Sequence, residues 1–345
     1  MSRVVEHLAD LTGFRDRDVL DVTLVGALKD VLRPQTVAIY RCVGEEGAQR
    51  WLTRAHLAAG DSAATADPLW SEPSALPLLT DHPDRHSCLV RQEAFTVEGT
   101  PAVSYFPLAT DRVPVGVVEI HTQQVLNSEE VRLVCSILRL YRNYQGLLDY
   151  SERDTLTGLL NRKTFDESFL RVAAQHPAPA AHQMSHDGVR RHGPSGSSWL
   201  GVLDIDHFKR VNDNFGHLIG DEVLLLLSRL MRSTFRFQDH LYRFGGEEFV
   251  VLMRCSDQDD ASRAFERLRH NVERYAFPQV GCITVSVGFT ELRTGDSPST
   301  AFERADKAVY YAKQNGRNQV CHHAELVAAG KLADESRDNS DVELF

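Results

Sequence analysis

Apolar residues recur along the first third of the chain with the periods of both helices and strands. From Asp18 to Leu32 they fall at helical spacing, and Pro34 follows, so this segment is predicted to be a helix. A loop with short elements is predicted from Ala58 to Pro83, which is rich in Pro, Ala and Asp. Four segments have strand-like patterns, the last two joined by the hairpin signature Thr110-Asp111-Arg112: Thr36–Val43, Arg50–Leu57, Ala102–Leu108 and Val113–His121.

A long helix is predicted from about Ser128 to Arg153. Ser128 suits the N-cap, and Glu129 and Glu130 favour the first turn. One apolar stripe runs along this helix, formed by Val131, Val134, Leu138, Tyr141, Gln145 and Leu148. Two interpretations stay open: the stripe packs on its own domain, or it pairs with the same helix of a second chain in a parallel dimer.

The pattern divides the chain into a first domain (1–127), a connecting helix (128–153) and a second domain (154–323). Inside the second domain, residues 175–198 are rich in Pro, Gly, Ser and His and lack apolar periodicity, so we predict a disordered inserted loop. The irregular spacing of its four histidines does not favour a metal site. Residues 324–345 are polar and end in acidic residues, which predicts a flexible tail.

Composition limits the possible functions. The chain has 345 residues, enough for two domains, and a formal net charge of −10, which argues against broad nucleic-acid binding. No apolar run approaches the roughly 20 residues that cross a bilayer, and the first residues do not form a signal peptide. The six cysteines are widely spaced and include no CxxC pair, which favours reduced thiols and a cytoplasmic location.

Two segments of the second domain place carboxylates at the ends of strands. The apolar run Trp199–Ile205 is interrupted and followed by Asp204 and Asp206, and buried carboxylates need compensation such as a metal ion. Further on, Gly245-Gly246-Glu247-Glu248 joins two strand-like runs and predicts a hairpin whose glycines allow positive φ. Alone, this segment is also compatible with an ordinary hairpin with two solvated glutamates.

These segments belong to a series of five motifs in a fixed order: DTLTGLLNR (154–162), DIDHFKRVNDNFGHLIGDEVL (204–224), RFGGEEF (243–249), SVGFT (286–290) and RADKAVYYAKQNGRNQV (304–320). Together they closely resemble the GGDEF family of diguanylate cyclases. The resemblance implies a two-domain α/β (α+β) protein whose second domain has a central, mostly antiparallel sheet flanked by helices. It also implies condensation of two GTP into cyclic di-GMP with release of two pyrophosphates.

The family resemblance implies a metal and reaction centre. Asp204, Glu247 and the main-chain carbonyl of Ile205 match the ligands of two Mg²⁺ ions per GTP site, for which Mn²⁺ can substitute. Glu247 matches the residue that deprotonates the attacking 3′-hydroxyl, and Glu248 can share this duty or bind metal. Lys209 matches a group that stabilises charge on the transferred phosphate.

The resemblance also implies a substrate site. Asn212 and Asp221 match the residues that read guanine, and His217 matches a substrate-contacting position that is otherwise a packed helix-start histidine. Phe208 lies with Lys209 in the phosphate-binding turn after the first strand. Lys313 and Arg317, four residues apart near a helix end closed by Gly316, match the distal phosphate clamps.

A third implied site concerns control by the product. Arg236-Phe237-Gln238-Asp239 forms an RxxD motif at the offset from GGEEF that the family uses for product inhibition, and Arg243 can assist. Since one domain binds one GTP, two such domains must meet, so a homodimer is expected.

For the first domain, a resemblance to a known family rests only on the order of its predicted elements. That order resembles a GAF-type sensory domain, with a PAS-like fold as the alternative. We therefore expect it to bind an unknown small ligand or partner. A sensor site is one interpretation of five residues in this domain, but they lack ordered ligand spacing, so structural roles are favoured for each: Cys42, His56, His82, His86 and Cys88. Two rival functions stay open: a catalytically silent nucleotide receptor and a protein-assembly scaffold.

Overall fold

The computed structural model describes residues 17–44, 47–68, 73–109, 114–174 and 196–333. The chain divides into two units, Met1–Ser151 and Glu152–Phe345, and each is described by itself. No helix among the described residues is long and apolar enough to cross a membrane. The predicted turn 110–112, most of the predicted loop 175–198 and the end of the predicted tail lie outside the described residues.

The first unit is built on a five-stranded antiparallel sheet of order β2-β1-β5-β4-β3. The predicted helix and four strands are confirmed. The helix α2 begins at Pro83, the last residue of the region predicted as loop, and the strand β3 follows it. The elements are α1 (Arg17–Leu32), β1 (Thr36–Val43), β2 (Arg50–Ala58), α2 (Pro83–Arg91), β3 (Phe95–Val97), β4 (Ala102–Ala109), β5 (Pro114–Thr122) and α3 (Ser128–Glu152).

The sheet of the first unit buries apolar residues on both faces, since neighbouring positions of a strand point to opposite sides. On one face Phe106 and Val118 pack with residues of α1 and α3. On the other face Tyr105 and Val117 pack with Trp51 and with residues of α2. The unit is therefore a three-layered α+β fold.

The apolar stripe of α3 is covered by its own unit. Val134, Leu138, Tyr141 and Leu148 are all buried in the cluster that α3 shares with α1 and the sheet. The interpretation in which this stripe pairs with a second chain is therefore wrong. A different set of side chains is exposed on α3, namely Leu140, Leu147 and Tyr150.

The second unit is built on a six-stranded sheet of order β11-β10-β7-β9-β8-β6. Only β10–β11 and β6–β8 pair in parallel, so the predicted mostly antiparallel sheet flanked by helices is confirmed. Its elements are β6 (Leu160–Asn161), α4 (Arg162–Ala174), β7 (Ser197–Ile205), α5 (Phe208–Phe215), α6 (His217–Thr234), β8 (His240–Gly245), β9 (Glu248–Cys255), α7 (Gln258–Arg274), β10 (Val285–Glu291), α8 (Pro298–Gln314), β11 (Val320–His322) and α9 (His323–Ala328).

Helix α8 packs unusually close to β10. A Cβ atom at Gly288 would lie 2.2 Å from the carbonyl oxygen of Ala305, so only glycine permits this approach. The contact fixes α8, which carries Lys313 in its last turn, against the middle of the sheet.

The short helix α9 replaces the first part of the predicted tail. His323 and Leu326 are buried, so this segment is packed rather than frayed.

Candidate functional site

Asp204 occupies a buried position near the end of the central strand β7. It lies opposite Glu248 on β9 and Ser286 on β10. Its Oδ2 is 2.7 Å from Nζ of Lys313, while its Oδ1 is buried and has no hydrogen-bond partner. Burial raises the pKa of Asp204, although the Lys313 ammonium opposes the shift. An unpartnered buried carboxylate oxygen is a costly feature that a bound cation would compensate.

The hairpin predicted from the GGEE segment is present. Gly245 pairs with Glu248, which leaves Gly246 and Glu247 as the two turn residues, and Gly246 has φ of +50°. Burial and the negative charge of Asp204 raise the pKa of both Glu247 and Glu248. The structure therefore brings three carboxylates predicted from the sequence into one electrostatic environment.

Arg243 holds this turn in place. Its Nε and Nη2 donate to the carbonyl oxygen of Gly246 at 3.2 and 2.9 Å, and its Nη1 donates to both carboxylate oxygens of Asp154 at 3.0 and 3.2 Å. Asp154 also accepts hydrogen bonds from the amide and hydroxyl of Thr157. Burial favours a higher pKa for Asp154, but these hydrogen bonds outweigh it and keep the pKa low.

The expectation that Arg243 assists the product-inhibition site stays a prediction. Its guanidinium is already engaged by Asp154 and by the carbonyl of Gly246. Asp154 and Thr157 belong to the sequence motif DTLTG, but the motif does not indicate their link to Arg243.

The residues around Asp204 fit a divalent cation. Carboxylate oxygens of Asp204 and Glu247 and the carbonyl of Ile205 are hard oxygen ligands of the type that Mg²⁺ prefers. Among the described residues, no group of three or more His, Cys, Asp or Glu side chains forms a metal site by itself. A cation bound here would accordingly complete its shell with water or with oxygens of the substrate.

One further acidic residue near the site was missed by sequence reasoning. Asp306 on α8 contributes negative potential at both Asp204 and Glu248, and burial raises its own pKa. Asp306 belongs to the motif RADKAVYYAKQNGRNQV, which is part of the family resemblance. Its place in that motif could have identified it as a residue of the site.

The turn after β7 leads into the N-terminus of α5. His207 precedes the helix with φ of +59°, and Lys209 is exposed in the first turn. The side chain of Phe208 is 4% exposed and packs in the core, so Phe208 cannot touch a substrate through its ring. Its predicted binding role is therefore restricted to the main chain, where the first amides of a helix lack intrahelical acceptors and suit an anion.

The predicted guanine-reading residues lie on α5 and α6, which are separated by Gly216. A Cβ atom at Gly220 would lie 2.0 Å from Oδ1 of Asn212, so glycine is required for the amide to lie against α6. His217 and Asp221 are exposed in the first two turns of α6. The three polar side chains thus belong to one helix–turn–helix segment.

The predicted phosphate clamps lie at the end of α8. Lys313 is in the last turn and contacts Asp204, whereas Arg317 follows the helix with φ of +62°. The amide of Arg317 donates to the carbonyl of Ala312 at 2.9 Å, which closes the helix end.

Arg236 and Asp239 form a separate cluster before β8. The amide of Arg236 donates to Oδ2 of Asp239 at 2.8 Å, and the Arg236 side chain is exposed. The Oδ1 atom of Asp239 is buried without a hydrogen-bond partner. Burial raises the pKa of Asp239 to about 6.

Comparison with known proteins gives a consistent result for the second unit. Residues 151–319 match the family described as "Diguanylate cyclase, GGDEF domain". Diguanylate cyclase DgcP of Pseudomonas aeruginosa is 39% identical over 170 residues, which cover 48% of this chain and 23% of that protein. Diguanylate cyclase DgcZ of Escherichia coli is 36% identical over 172 residues, which cover 49% of this chain and 52% of that protein. The chain thus spans between about a quarter and about half of the length of these two relatives.

A solved structure covers a similar share of the chain. The crystal structure of the GGDEF domain of DgcB from Caulobacter crescentus in complex with c-di-GMP is 32% identical, with a TM-score of 0.44. It covers 50% of this chain and 96% of that chain.

Proposed function

Because residues 151–319 match the GGDEF domain family, we propose that the protein is a diguanylate cyclase that condenses two GTP into cyclic di-GMP and releases two pyrophosphates. The single observation that carries this proposal is Asp204. It is a buried carboxylate with one unpartnered oxygen and one oxygen on Lys313, opposite the Gly-Gly-Glu-Glu turn.

The reaction joins two nucleotides in each of two equivalent steps. The 3′-oxygen of one GTP attacks the α-phosphorus of the other, an O–P bond forms, and the bond to the β-phosphate oxygen breaks to release pyrophosphate. The hydroxyl proton passes to a carboxylate, for which Glu247 is the first candidate and Glu248 the second. A raised pKa makes either group a better base than an ordinary carboxylate.

The remaining residues bind and orient the substrate. Asp221 accepts from the guanine N1–H and N2–H, Asn212 offers both a donor and an acceptor, and His217 contacts the bound nucleotide. Lys209 and the main chain at Phe208 meet the phosphates at the start of α5. Lys313 and Arg317 bind the distal phosphates.

Divalent cations complete the site in this proposal. Two Mg²⁺ ions, or Mn²⁺ in their place, held by Asp204, Glu247 and the carbonyl of Ile205 would neutralise the triphosphate and polarise the reacting oxygens. The unpartnered Oδ1 of Asp204 supports this assignment.

The proposed enzyme acts as a homodimer, because a symmetric cyclic product needs two GTP sites facing each other. Leu140 and Leu147 are exposed on α3 and lie seven residues apart. The half-buried Leu133 lies seven residues before Leu140, and the exposed Tyr150 follows Leu147. A seven-residue apolar repeat is typical of a parallel helix pair. Sedimentation of a Leu140→Glu/Leu147→Glu variant tests it, and an unchanged dimer would reject this surface.

Two modes of control are part of the proposal. Cyclic di-GMP inhibits through Arg236 and Asp239, where an ionised carboxylate with an unpartnered oxygen suits a guanine N–H donor. The first unit is a GAF-like sensory domain for a small ligand or partner, supported by its antiparallel sheet with helices on both faces. We place the protein in the cytoplasm.

The deciding experiment is incubation of the purified chain with GTP and Mg²⁺, followed by chromatographic identification of the products. Cyclic di-GMP and pyrophosphate are expected, with an Asp204→Asn variant as the inactive control. Binding of GTP without turnover would instead favour the silent receptor. No binding and no turnover would reject both and leave the assembly scaffold.

A further inference from the structure

Asp206 lies two residues after Asp204, in the turn that follows β7, and the two carboxylates have different surroundings. Asp206 is fully engaged: it accepts from the hydroxyls of Thr284 and Ser286, each at 2.7 Å, and from the amide of Asn318 at 3.0 Å. It is as buried as Asp204. A carboxylate whose oxygens are saturated by protein donors has a structural task that Asp204 does not have.

The amide of Asn318, which donates a hydrogen bond to Asp206, belongs to a strained turn. Arg317 and Asn318 have φ of +62° and +45°, in the left-handed region, which is unfavourable for arginine and better tolerated by asparagine. Such a turn persists only where neighbouring groups determine it. The side chain of Asn318 supplies two more ties to α7, because its Nδ2 donates to Glu273 at 2.7 Å and its Oδ1 accepts from Arg269 at 3.0 Å.

The end of α8 is therefore tied to the end of β7 at two points. One tie joins Lys313 to Asp204, and the other joins the amide of Asn318 to Asp206. Under the proposed function, the first tie must open, since Asp204 is needed for the cation and Lys313 for the phosphates. The second tie uses neither group, so it persists when GTP binds.

We propose that Asp206 is a positioning residue that keeps the turn after α8 in place, so that Arg317 and Lys313 face the distal phosphates of GTP while the Asp204–Lys313 pair opens. This inference rests on the proposed function. It predicts that loss of the Asp206 charge weakens binding of the triphosphate and spares binding of the guanine and the first phosphate.

The test compares the full-length wild-type chain with Asp206→Asn for binding of two ligands: a GTP analogue with a non-cleavable bond between the α- and β-phosphates, and GMP. A hydrogen bond to a charged group sets the expected loss for the analogue at about tenfold. Binding of GMP should stay within about twofold, since GMP lacks the distal phosphates. Ser286→Ala is the matched control, because it removes another donor to Asp206 but leaves the Asn318 bond, and its loss should be smaller.

A double variant gives a second readout. If Asp206 acts through Arg317, the effect of Asp206→Asn depends on the background. The substitution should weaken analogue binding less in an Arg317→Ala chain than in the wild-type chain. Asn318→Gly, which keeps the amide and suits positive φ, provides a partial loss should Asp206→Asn fail to fold.

Equal losses for GMP and the analogue would show that Asp206 supports the fold in general and would overturn the proposal. Unchanged analogue binding in Asp206→Asn, with a wild type that binds, would overturn this inference alone. A wild-type chain that does not bind the analogue would contradict the proposed function itself.

Discussion

Replacing Asp239 with asparagine is expected to stabilise the second unit at neutral pH and to abolish inhibition by cyclic di-GMP. The carboxylate has one buried oxygen without a partner, and burial raises its pKa from 3.8 to about 6. Asparagine keeps the shape and can still accept the bond from the Arg236 amide. It removes the buried charge, which is the unfavourable part of the arrangement.

The magnitude follows from the pKa. Each pKa unit corresponds to about 1.36 kcal/mol, so raising the value from 3.8 to about 6 makes the ionised folded chain less stable by up to about 3 kcal/mol. Below about pH 4 the carboxyl is protonated in both folded and unfolded chains, and this cost is absent. It develops as the pH rises from about 4 to about 6, because the unfolded chain ionises first, and it is constant at higher pH.

Differential scanning calorimetry of the wild type and Asp239→Asn between pH 4 and 7.5 checks this reasoning. The variant should melt at nearly the same temperature as the wild type at the acidic end, and above pH 7 it should melt up to roughly 6–12 °C higher. Asp259→Asn removes an equal charge from an exposed site and controls for net charge. A difference between wild type and Asp239→Asn that does not change with pH would refute the argument.

Three further predictions concern catalysis and control. Glu247→Gln should fold normally and lose at least about 100-fold in turnover, since a proposed base and metal ligand disappears, and near-wild-type rates with Mg²⁺ would contradict the assignment. Arg236→Ala should keep its initial rate when cyclic di-GMP is added, whereas the wild type slows; equal sensitivity would remove this site. Because the pKa values of Asp204 and Glu247 are raised, Mg²⁺ affinity measured by calorimetry should begin to fall on acidification at a higher pH than for ordinary carboxylates, and a pH-independent affinity would argue against these ligands.

The strands and helices with strong apolar periods were predictable from the sequence. The segments Thr36–Val43 and Ser128–Glu152 were found within a residue of their observed bounds, because their patterns are long and regular. The helix α2 was missed, since its sequence PDRHSCLVR is mostly polar and has few apolar positions to set a period.

The predicted residues of the candidate site came from motifs, and the structure adds what motifs do not contain. The sequence grouped Asp204 with Asp206 as strand-end carboxylates. Only the tertiary hydrogen bonds show that Asp204 has an oxygen without a partner and that both oxygens of Asp206 accept hydrogen bonds. Likewise, the stripe on α3 was visible, but which of its sides the sheet covers depends on packing between elements distant in sequence. The link from Arg243 to Asp154 spans 89 residues and has no local signal.

That link sets a rule for building chimaeras of this protein. Asp154 lies two residues beyond the end of α3, yet through Arg243 it determines the carbonyl orientation of Gly246. The first unit can therefore be exchanged at any junction up to Glu152 without disturbing the hairpin that carries Glu247 and Glu248. A junction placed at Thr155 or later would give a folded hybrid whose hairpin has lost its brace. The minimal transplantable module accordingly begins before the first residue of the DTLTG segment rather than at the first strand of the sheet.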